Sequence, residues 1–148
     1  MRNRNIDFQE QYKRLDNLCK DCYSSSTGVT EYINRMDESS FQGRHYIDNW
    51  DNTYRQLKHI RWIRNQLAHE PGTFDSDICS KEDVEFIVSF YDKMMNSIDP
   101  LSALRTKINQ QTQKNNQQNQ ISRSIPKKTD EKSSLLKRIF NKLKALFH

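Results

Sequence analysis

Apolar side chains recur at steps of three and four residues through the first hundred positions, and this spacing constrains the fold more than any other feature. The longest series predicts a helix from about residue 45 to 69, with the members Ile47, Trp50, Tyr54, Leu57, Ile60, Ile63 (or the adjacent Trp62) and Leu67. Pro71 and Gly72 end it, because proline cannot continue helical hydrogen bonding. With only three glycines and three prolines in 148 residues, a turn-rich β-fold is excluded and an all-α protein is predicted.

Three shorter segments carry the same periodicity and predict helices over residues 4–23, 29–40 and 81–98, with a further helical turn over 101–108. Gln42 and Gly43 are expected to break the chain before the long helix, and Ser80 is expected to cap the helix at 81. Short connections between consecutive helices favour antiparallel neighbours. The sequence therefore predicts an antiparallel four-helix up-down bundle over residues 1–105.

The composition changes abruptly after this bundle. Residues 109–120 read NQQTQKNNQQNQ and contain no apolar side chain, so we predict a flexible linker over residues 106–132. Residues 133–148 then predict a basic amphipathic helix. Its apolar face would hold Leu135, Leu136, Ile139, Phe140, Leu143, Leu146 and Phe147, and its cationic face Lys137, Arg138, Lys142 and Lys144.

The net charge of +5 comes from the end of the chain. Residues 1–100 contain 13 basic and 17 acidic residues, whereas residues 121–148 contain 8 basic and 2 acidic ones. The predicted bundle is therefore not a general cationic platform for nucleic acid.

The three cysteines favour a reducing compartment over a disulfide framework, because their number is odd and no apolar run follows Met1. We therefore expect a cytoplasmic protein. Cys19 and Cys22 have C-x-x-C spacing, but no second pair accompanies them, and we interpret them as small buried residues of one helix face. Neither a metal nor a cofactor is predicted.

The end of the long helix gathers an unusual set of polar side chains: Arg64, Asn65 and His69. Histidine titrates near neutral pH and can transfer a proton to or from a ribose hydroxyl or a leaving oxygen. Arginine can bind a phosphate through two hydrogen bonds and stabilise developing negative charge, and asparagine could orient either group. These residue types suit the cleavage of RNA without a metal. Arg61 and Arg55 are candidates for guiding the RNA backbone, with a solvated helix face as the alternative.

The string RNQLAHE over residues 64–70, at the end of a long helix in a small helical bundle, resembles the motif of the HEPN superfamily (higher eukaryotes and prokaryotes nucleotide-binding domain). The resemblance covers about residues 5–105. It implies a metal-independent endoribonuclease in a homodimer, with two copies of the motif forming one composite site. Arg64 would contact the scissile phosphate, His69 would act in proton transfer or in phosphate stabilisation, and Asn65 would support the geometry. Family members serve as toxins or defence effectors, and many pair with a nucleotidyltransferase-type antitoxin. The antitoxin often modifies a tyrosine two residues after the histidine, where this chain has Pro71.

Other interpretations stay open at this point. The superfamily contains non-catalytic interaction modules. In a purely structural arrangement, Arg64 would pair with an acid such as Glu70 or with the loop over residues 73–79, and His69 would only interact favourably with the helix macrodipole. Trp50 and Trp62 are expected in the core or in a dimer contact. The helix over 133–148 could bind a membrane surface, a protein groove, its own dimer or RNA, so peripheral attachment to a membrane is one of the alternatives.

Overall fold

The computed structural model describes residues 3–124, 137–142 and 144–145, and every regular element among them is helical. The all-α prediction is confirmed. The elements are α1 (Arg4–Tyr23), α2 (Val29–Glu38), α3 (Ser40–Tyr46), α4 (Trp50–His69), α5 (Lys81–Met95) and α6 (Pro100–Ser124), with a 3₁₀ turn at Thr73–Asp75. The chain divides between Lys107 and Ile108 into two units.

The first unit is built around α1, which packs along α5 and against α2 and α4. Its core holds most of the side chains that the longest periodic series predicts, while Ile47 and Tyr54 of that series are half-buried. The buried apolar side chains of α1, α2 and α4 are Phe8, Tyr12, Leu15, Cys19, Val29, Tyr32, Ile33, Met36, Trp50, Leu57, Ile60, Ile63 and Leu67. Burial of these apolar side chains is the main source of stability in a helical unit of this size.

The junction between α1 and α2 is fixed by one side chain. Asp16 of α1 accepts a hydrogen bond at Oδ1 from the backbone N–H of Val29 (2.9 Å), the first residue of α2. Gly28 lies directly against α1, and a Cβ atom there would come within 2.2 Å of the Asp16 carbonyl oxygen. The polar segment before α2 therefore makes a tight turn that only glycine allows.

The predicted helix over residues 45–69 is two elements in the structure. α3 ends at Tyr46, and α4 starts at Trp50 after Asn49, which has a left-handed backbone with φ of 59°. Gly43 does not break the chain as predicted. It lies inside α3, where the ring of Trp50 packs against it so closely that a Cβ atom would come within 2.2 Å of Trp50 Cε2.

The prediction of a flexible linker is wrong for the part of residues 106–132 that the structure describes. Residues 106–124 continue α6 as a helix, and residues 125–132 lie outside the described part. From 101 to 124 the sequence contains no glycine or proline, and its glutamine, lysine and arginine residues are good helix formers. Local propensity accounts for the helix, because residues 109–124 are all exposed.

The predicted terminal helix lies partly outside the described residues. Residues 137–142 and 144–145 are helical and exposed, including Ile139 and Phe140. The predicted apolar residues Leu135, Leu136, Leu143, Leu146 and Phe147 are not among those described. No described helix is long enough and apolar enough to cross a lipid bilayer.

Candidate functional site

All five predicted site residues lie on α4, a helix with two distinct sides. Leu57, Ile60, Ile63 and Leu67 form its buried side. Arg55, Arg64, Asn65 and His69 are exposed, and Arg61 is half-buried. The candidate residues are therefore accessible to solvent, on a helix that its buried side chains hold in place.

Asn65 and Arg64 are in direct contact. The guanidinium of Arg64 donates a hydrogen bond from Nη1 to Oδ1 of Asn65 (3.2 Å). Within the described residues Arg64 forms no ion pair, neither with Glu70 nor with an acid of the loop over residues 73–79. The charge of Arg64 stays available to an external anion.

Arg64 also borders a groove between α1 and α4. The groove has a volume of about 370 Å³, and its other lining residues are Gln9, Tyr12, Lys13, Asp16, Asn17, Lys20 and Ala68. Burial, followed by the nearby Asp16 carboxylate, raises the pKa of Tyr12 well above its usual range, while the Arg64 and Arg61 guanidinium groups oppose this rise. The two arginines are therefore close enough to act on the phenol electrostatically.

His69 is the last residue of α4, and the turn after it is firmly anchored. Thr73 donates its hydroxyl hydrogen to the carbonyl oxygens of Gln66 (2.9 Å) and Glu70 (2.8 Å), and the Glu70 backbone N–H donates to Gln66 O (3.0 Å). Within residues 3–124, no side chain forms a hydrogen bond or ion pair with the His69 imidazole. The turn thus fixes the backbone that carries the imidazole and leaves the ring itself free to meet a ligand.

Arg64 and His69 are not presented in one direction by a single chain. Five residues of ideal helix separate them by about 140° around the axis and about 7.5 Å along it. Asn65 and His69, four residues apart, share one side of α4. Arg64 instead lies towards α1, as its place in the groove indicates.

The two tryptophans of α4 differ in burial. Trp50 is in the core as predicted, whereas 53% of the surface of Trp62 is exposed. The sequence pattern left open whether Ile63 or the adjacent Trp62 is buried, and the structure buries Ile63. Sequence reasoning also missed the contact of Trp62 with His59, whose rings are stacked with centroids 6.2 Å apart. The i, i+3 spacing on a helix would have indicated it.

The cysteines contribute no recognisable site. Cys19 is buried, as predicted, and its thiol contacts Met94 Sδ at 3.7 Å, but Cys22 is exposed, so the prediction of two buried cysteines is half wrong. Among the residues that the structure describes, no three His, Cys, Asp or Glu side chains are grouped so that they could hold a metal ion.

Comparison with known proteins assigns the chain to a family. Residues 6–145 match the model of a family of unknown function, DUF6548. The chain belongs to this family. No curated protein and no solved structure matches it. In this DUF6548 member, the exposed polar side chains of α4 and their surroundings form the candidate site.

Proposed function

We propose that the chain is a metal-independent endoribonuclease of the HEPN type, which cleaves RNA at a composite site in a homodimer. The observation that carries this proposal is that Arg64, Asn65 and His69 are each exposed near the end of α4 and that no acid forms an ion pair with Arg64 within the described residues. A toxin or defence effector is the biological role that such an activity would serve.

The chemistry needs only these side chains and RNA itself. In cleavage without a metal, the ribose 2′-oxygen attacks the adjacent phosphorus, the bond from phosphorus to the 5′-oxygen breaks, and a cyclic phosphate and a 5′-hydroxyl result. A neutral imidazole takes the proton from the 2′-hydroxyl, and an imidazolium returns one to the leaving 5′-oxygen. Arg64 would stabilise the extra negative charge on the phosphorane oxygens, and Asn65 would hold the guanidinium in place.

Two copies of the chain account for the geometry better than one. Since Arg64 and His69 project about 140° apart on ideal helix geometry, the His69 of one subunit would complete a site with the Arg64 of the other. An isologous contact of this kind is the commonest way in which identical chains pair. The packing of α1, α2, α4 and α5 around one core supports a HEPN-like, up-down four-helix bundle as the scaffold.

The direct test is cleavage of labelled RNA by the purified full-length chain. His69→Ala and Arg64→Ala are each expected to lower the rate at least a hundredfold, in line with the contribution of a general acid–base group or a charge stabiliser. Lys93→Ala, at an exposed position of α5, serves as the control and should retain full activity. EDTA should leave the rate unchanged and the product should carry a cyclic phosphate. Strict dependence on Mg²⁺, or a fully active His69→Ala variant, would contradict the proposal.

The toxin role has its own test. Expression of the wild-type chain should arrest growth, and the His69→Ala variant should not. If a nucleotidyltransferase-type antitoxin is the partner, it should relieve the arrest by binding without modifying position 71, because proline has no hydroxyl group to accept a nucleotide.

The alternative is a non-catalytic interaction module whose partner binds the basic terminal segment. Exposure favours this second candidate, since 54% of Ile139 and 64% of Phe140 is exposed within a helical stretch, and Lys144 Nζ lies 5.8 Å from the Phe140 ring centroid. Large apolar side chains beside cations are typical of segments that lie on anionic bilayers. Sedimentation with anionic and with zwitterionic vesicles tests it: binding of the full chain to the anionic vesicles alone, lost on deletion of residues 121–148, would support a membrane-associated module.

A further inference from the structure

The solvent side of α4 carries a second regular pattern besides the core. Its exposed side chains follow steps of three, four, three and four residues, and we call Arg55, Lys58, Trp62, Asn65 and His69 the outer stripe. Because i, i+3 and i, i+4 neighbours share a side of a helix, these five residues form one line along α4. The line passes from two cations through an exposed indole to the imidazole of the candidate site.

Trp62 is held in a defined orientation although it is more than half exposed. Its ring stacks on His59 with an interplanar angle of 13° and a centroid distance of 6.2 Å. The His59 ring is positioned in turn by Asp83 Oδ1, which lies 3.3 Å from His59 Nε2. Asp83 is itself fixed, because its other carboxylate oxygen accepts the Ser80 backbone N–H (2.8 Å) in the cap of α5. A flat aromatic surface is thus pre-organised beside the outer stripe.

The charge around this surface is one-sided. Residues 52–69 contain four arginines and lysines and no acid, although residues 1–107 as a whole contain more acidic than basic side chains. Three acids near α4 already have partners: Asp51 pairs with Arg44 (2.8 Å), Asp83 with His59, and Asp37 forms a hydrogen bond with Tyr54. The cations of α4 therefore form a local positive line on a unit of negative net charge.

We propose that the outer stripe binds single-stranded RNA, with one base stacked on Trp62 and the neighbouring phosphates contacted by Arg55 and Lys58. This inference rests on the proposed function for the direction of the strand, which would run towards His69, seven residues and about 10.5 Å further along the axis. Aromatic stacking combined with a line of cations is the usual chemistry of single-strand recognition.

A second copy of the chain fits the part of this surface around Arg55 and Lys58 less well than a polyanion does. In an isologous contact residue i of one copy meets residue j of the other, and the outer stripe offers no acid that could neutralise either cation. The composite site of the proposed function would instead join the two copies at the His69 end of α4. A phosphate backbone instead neutralises the line directly and releases bound counterions.

The test measures binding separately from cleavage. The full-length chain with His69→Ala, which cannot process the probe, is titrated into a labelled oligouridylate of about 12 nucleotides, within the length that such surfaces span. Adding Trp62→Ala should weaken binding roughly tenfold or more, and Trp62→Phe should restore most of the affinity. Phe41→Ala provides the matched control, because Phe41 is 88% exposed on α3, and it should bind normally.

Three further readouts distinguish stacking from plain charge attraction. Single-stranded probe should quench the tryptophan fluorescence, since Trp62 is exposed while Trp50 is only 3% exposed. Duplex RNA should bind at least about tenfold more weakly, because its bases are stacked internally and cannot reach the indole. Lys58→Ala should make the slope of log K against log salt shallower by about 0.7, the value for one phosphate contact on a single strand.

The outcomes separate this inference from the proposed function. If the probe binds through Trp62 but the wild-type chain never cleaves RNA, the binding surface is correct and the nuclease proposal fails. If the wild-type chain cleaves RNA and Trp62→Ala changes neither binding nor rate, the nuclease proposal is retained and this inference is overturned. Equal binding of duplex and single strand, or loss of dimers without loss of RNA binding in Trp62→Ala, would also overturn it.

Discussion

At the scale of single residues, Tyr32 brings a hydroxyl group into the apolar core and gives it two partners. The hydroxyl donates to Asp99 Oδ2 (2.7 Å) and accepts the backbone N–H of Leu101 (3.1 Å). The Tyr32 ring packs edge-to-face on Phe90 with centroids 5.0 Å apart. Since Asp99 is only 2% exposed, this network allows a carboxylate to be buried at the start of α6.

Tyr32→Phe should therefore destabilise the fold although it keeps the ring. The change leaves the Asp99 carboxylate and the Leu101 N–H with fewer partners, and we expect the free energy of unfolding to fall by about 2 kcal/mol. Urea denaturation followed by circular dichroism measures it. Tyr91→Phe, at a half-buried position of α5, is the control and should change stability by less than about 0.5 kcal/mol. Equal stability of the two variants would show that the network contributes nothing.

The residues of the core were predictable where periodicity alone decides which side chain is buried. Periodicity could not decide between the neighbours Ile63 and Trp62, and the structure buries Ile63. Phe90, which is 2% exposed, is hard to identify from periodicity because α5 has apolar residues on more than one side. Asn5 could not have been found either. It is buried because its amide donates to Ser76 O (2.9 Å) and its Oδ1 accepts from the Cys79 thiol, and both contacts span more than 70 residues.

At the scale of elements, the start of α5 is the best-defined helix end. Ser80 Oγ accepts the Asp83 backbone N–H (3.1 Å), and the Asp83 side chain accepts the Ser80 N–H (2.8 Å), which completes a capping box. The sequence predicted this cap, because serine before a periodic run with an acid three positions later is a local signal.

Ser80→Ala should cost about 1 kcal/mol of stability, the usual effect of removing a serine N-cap. It should also loosen Asp83 and with it the stacked pair of His59 and Trp62. Thermal unfolding measures the first effect and the tryptophan emission spectrum the second. Ser89→Ala, on the exposed side of the same helix, should be neutral. A Ser80→Ala variant as stable as wild type would mean that α5 does not depend on its cap.

Gly43 carries a prediction that runs against helix propensity. Alanine is ordinarily favoured over glycine inside a helix, by about 1 kcal/mol. Here the added Cβ would collide with the Trp50 ring, so Gly43→Ala should destabilise by about 1–3 kcal/mol, as overpacking does. Gln42→Ala in the same helix should be neutral or slightly stabilising. Chemical denaturation of both variants decides it, and a stabilised Gly43→Ala would contradict the close packing of α3 on α4.

The sequence predicted the ends of helices correctly where nearby helix-breaking residues mark them. The prediction was wrong where the end depends on packing between helices. The helix predicted over 4–23 is found there, because Ser24 to Gly28 interrupt the pattern at once. The break before α4 was misplaced, because Gly43 serves close packing while Asp48 and Asn49 make the turn. The polar sequence of residues 106–124 led to the prediction of a flexible linker. A polar sequence, however, indicates only that its side chains are exposed and does not decide the backbone conformation. Helical hydrogen bonding does not require burial when propensity is favourable.

At the scale of the whole molecule, buried thiol and phenol groups with raised pKa values make the free energy of unfolding depend on pH in the alkaline range. Burial, followed by the Asp16 carboxylate, raises the pKa of the Cys19 thiol to about 12, from an ordinary value of 9.0. Burial, followed by Asp99, likewise raises the pKa of Tyr32. Because the folded state keeps protons that the unfolded state releases, the stabilisation is complete below the unfolded pKa. It is lost as the pH rises towards the folded one.

We therefore expect the free energy of unfolding to fall between pH 9 and pH 12, with Cys19 alone contributing on the order of 2–3 kcal/mol at pH 11. Denaturation curves over this range measure the fall. Cys19→Ala should be less stable at pH 7 but lose less stability above pH 9. A thiol-labelling experiment at pH 8 adds a check, since exposed Cys22 should react well before buried Cys19 and Cys79. Simultaneous reaction of all three thiols in the folded protein would contradict the burial.

The outer stripe and the core occupy opposite sides of α4, so mutation can alter one without disturbing the other. A library randomised at positions 55, 58, 62, 65 and 69 should consist mostly of folded proteins, because none of these side chains contributes to the buried interior. Natural selection can therefore change what this surface binds without changing the ability of the chain to fold.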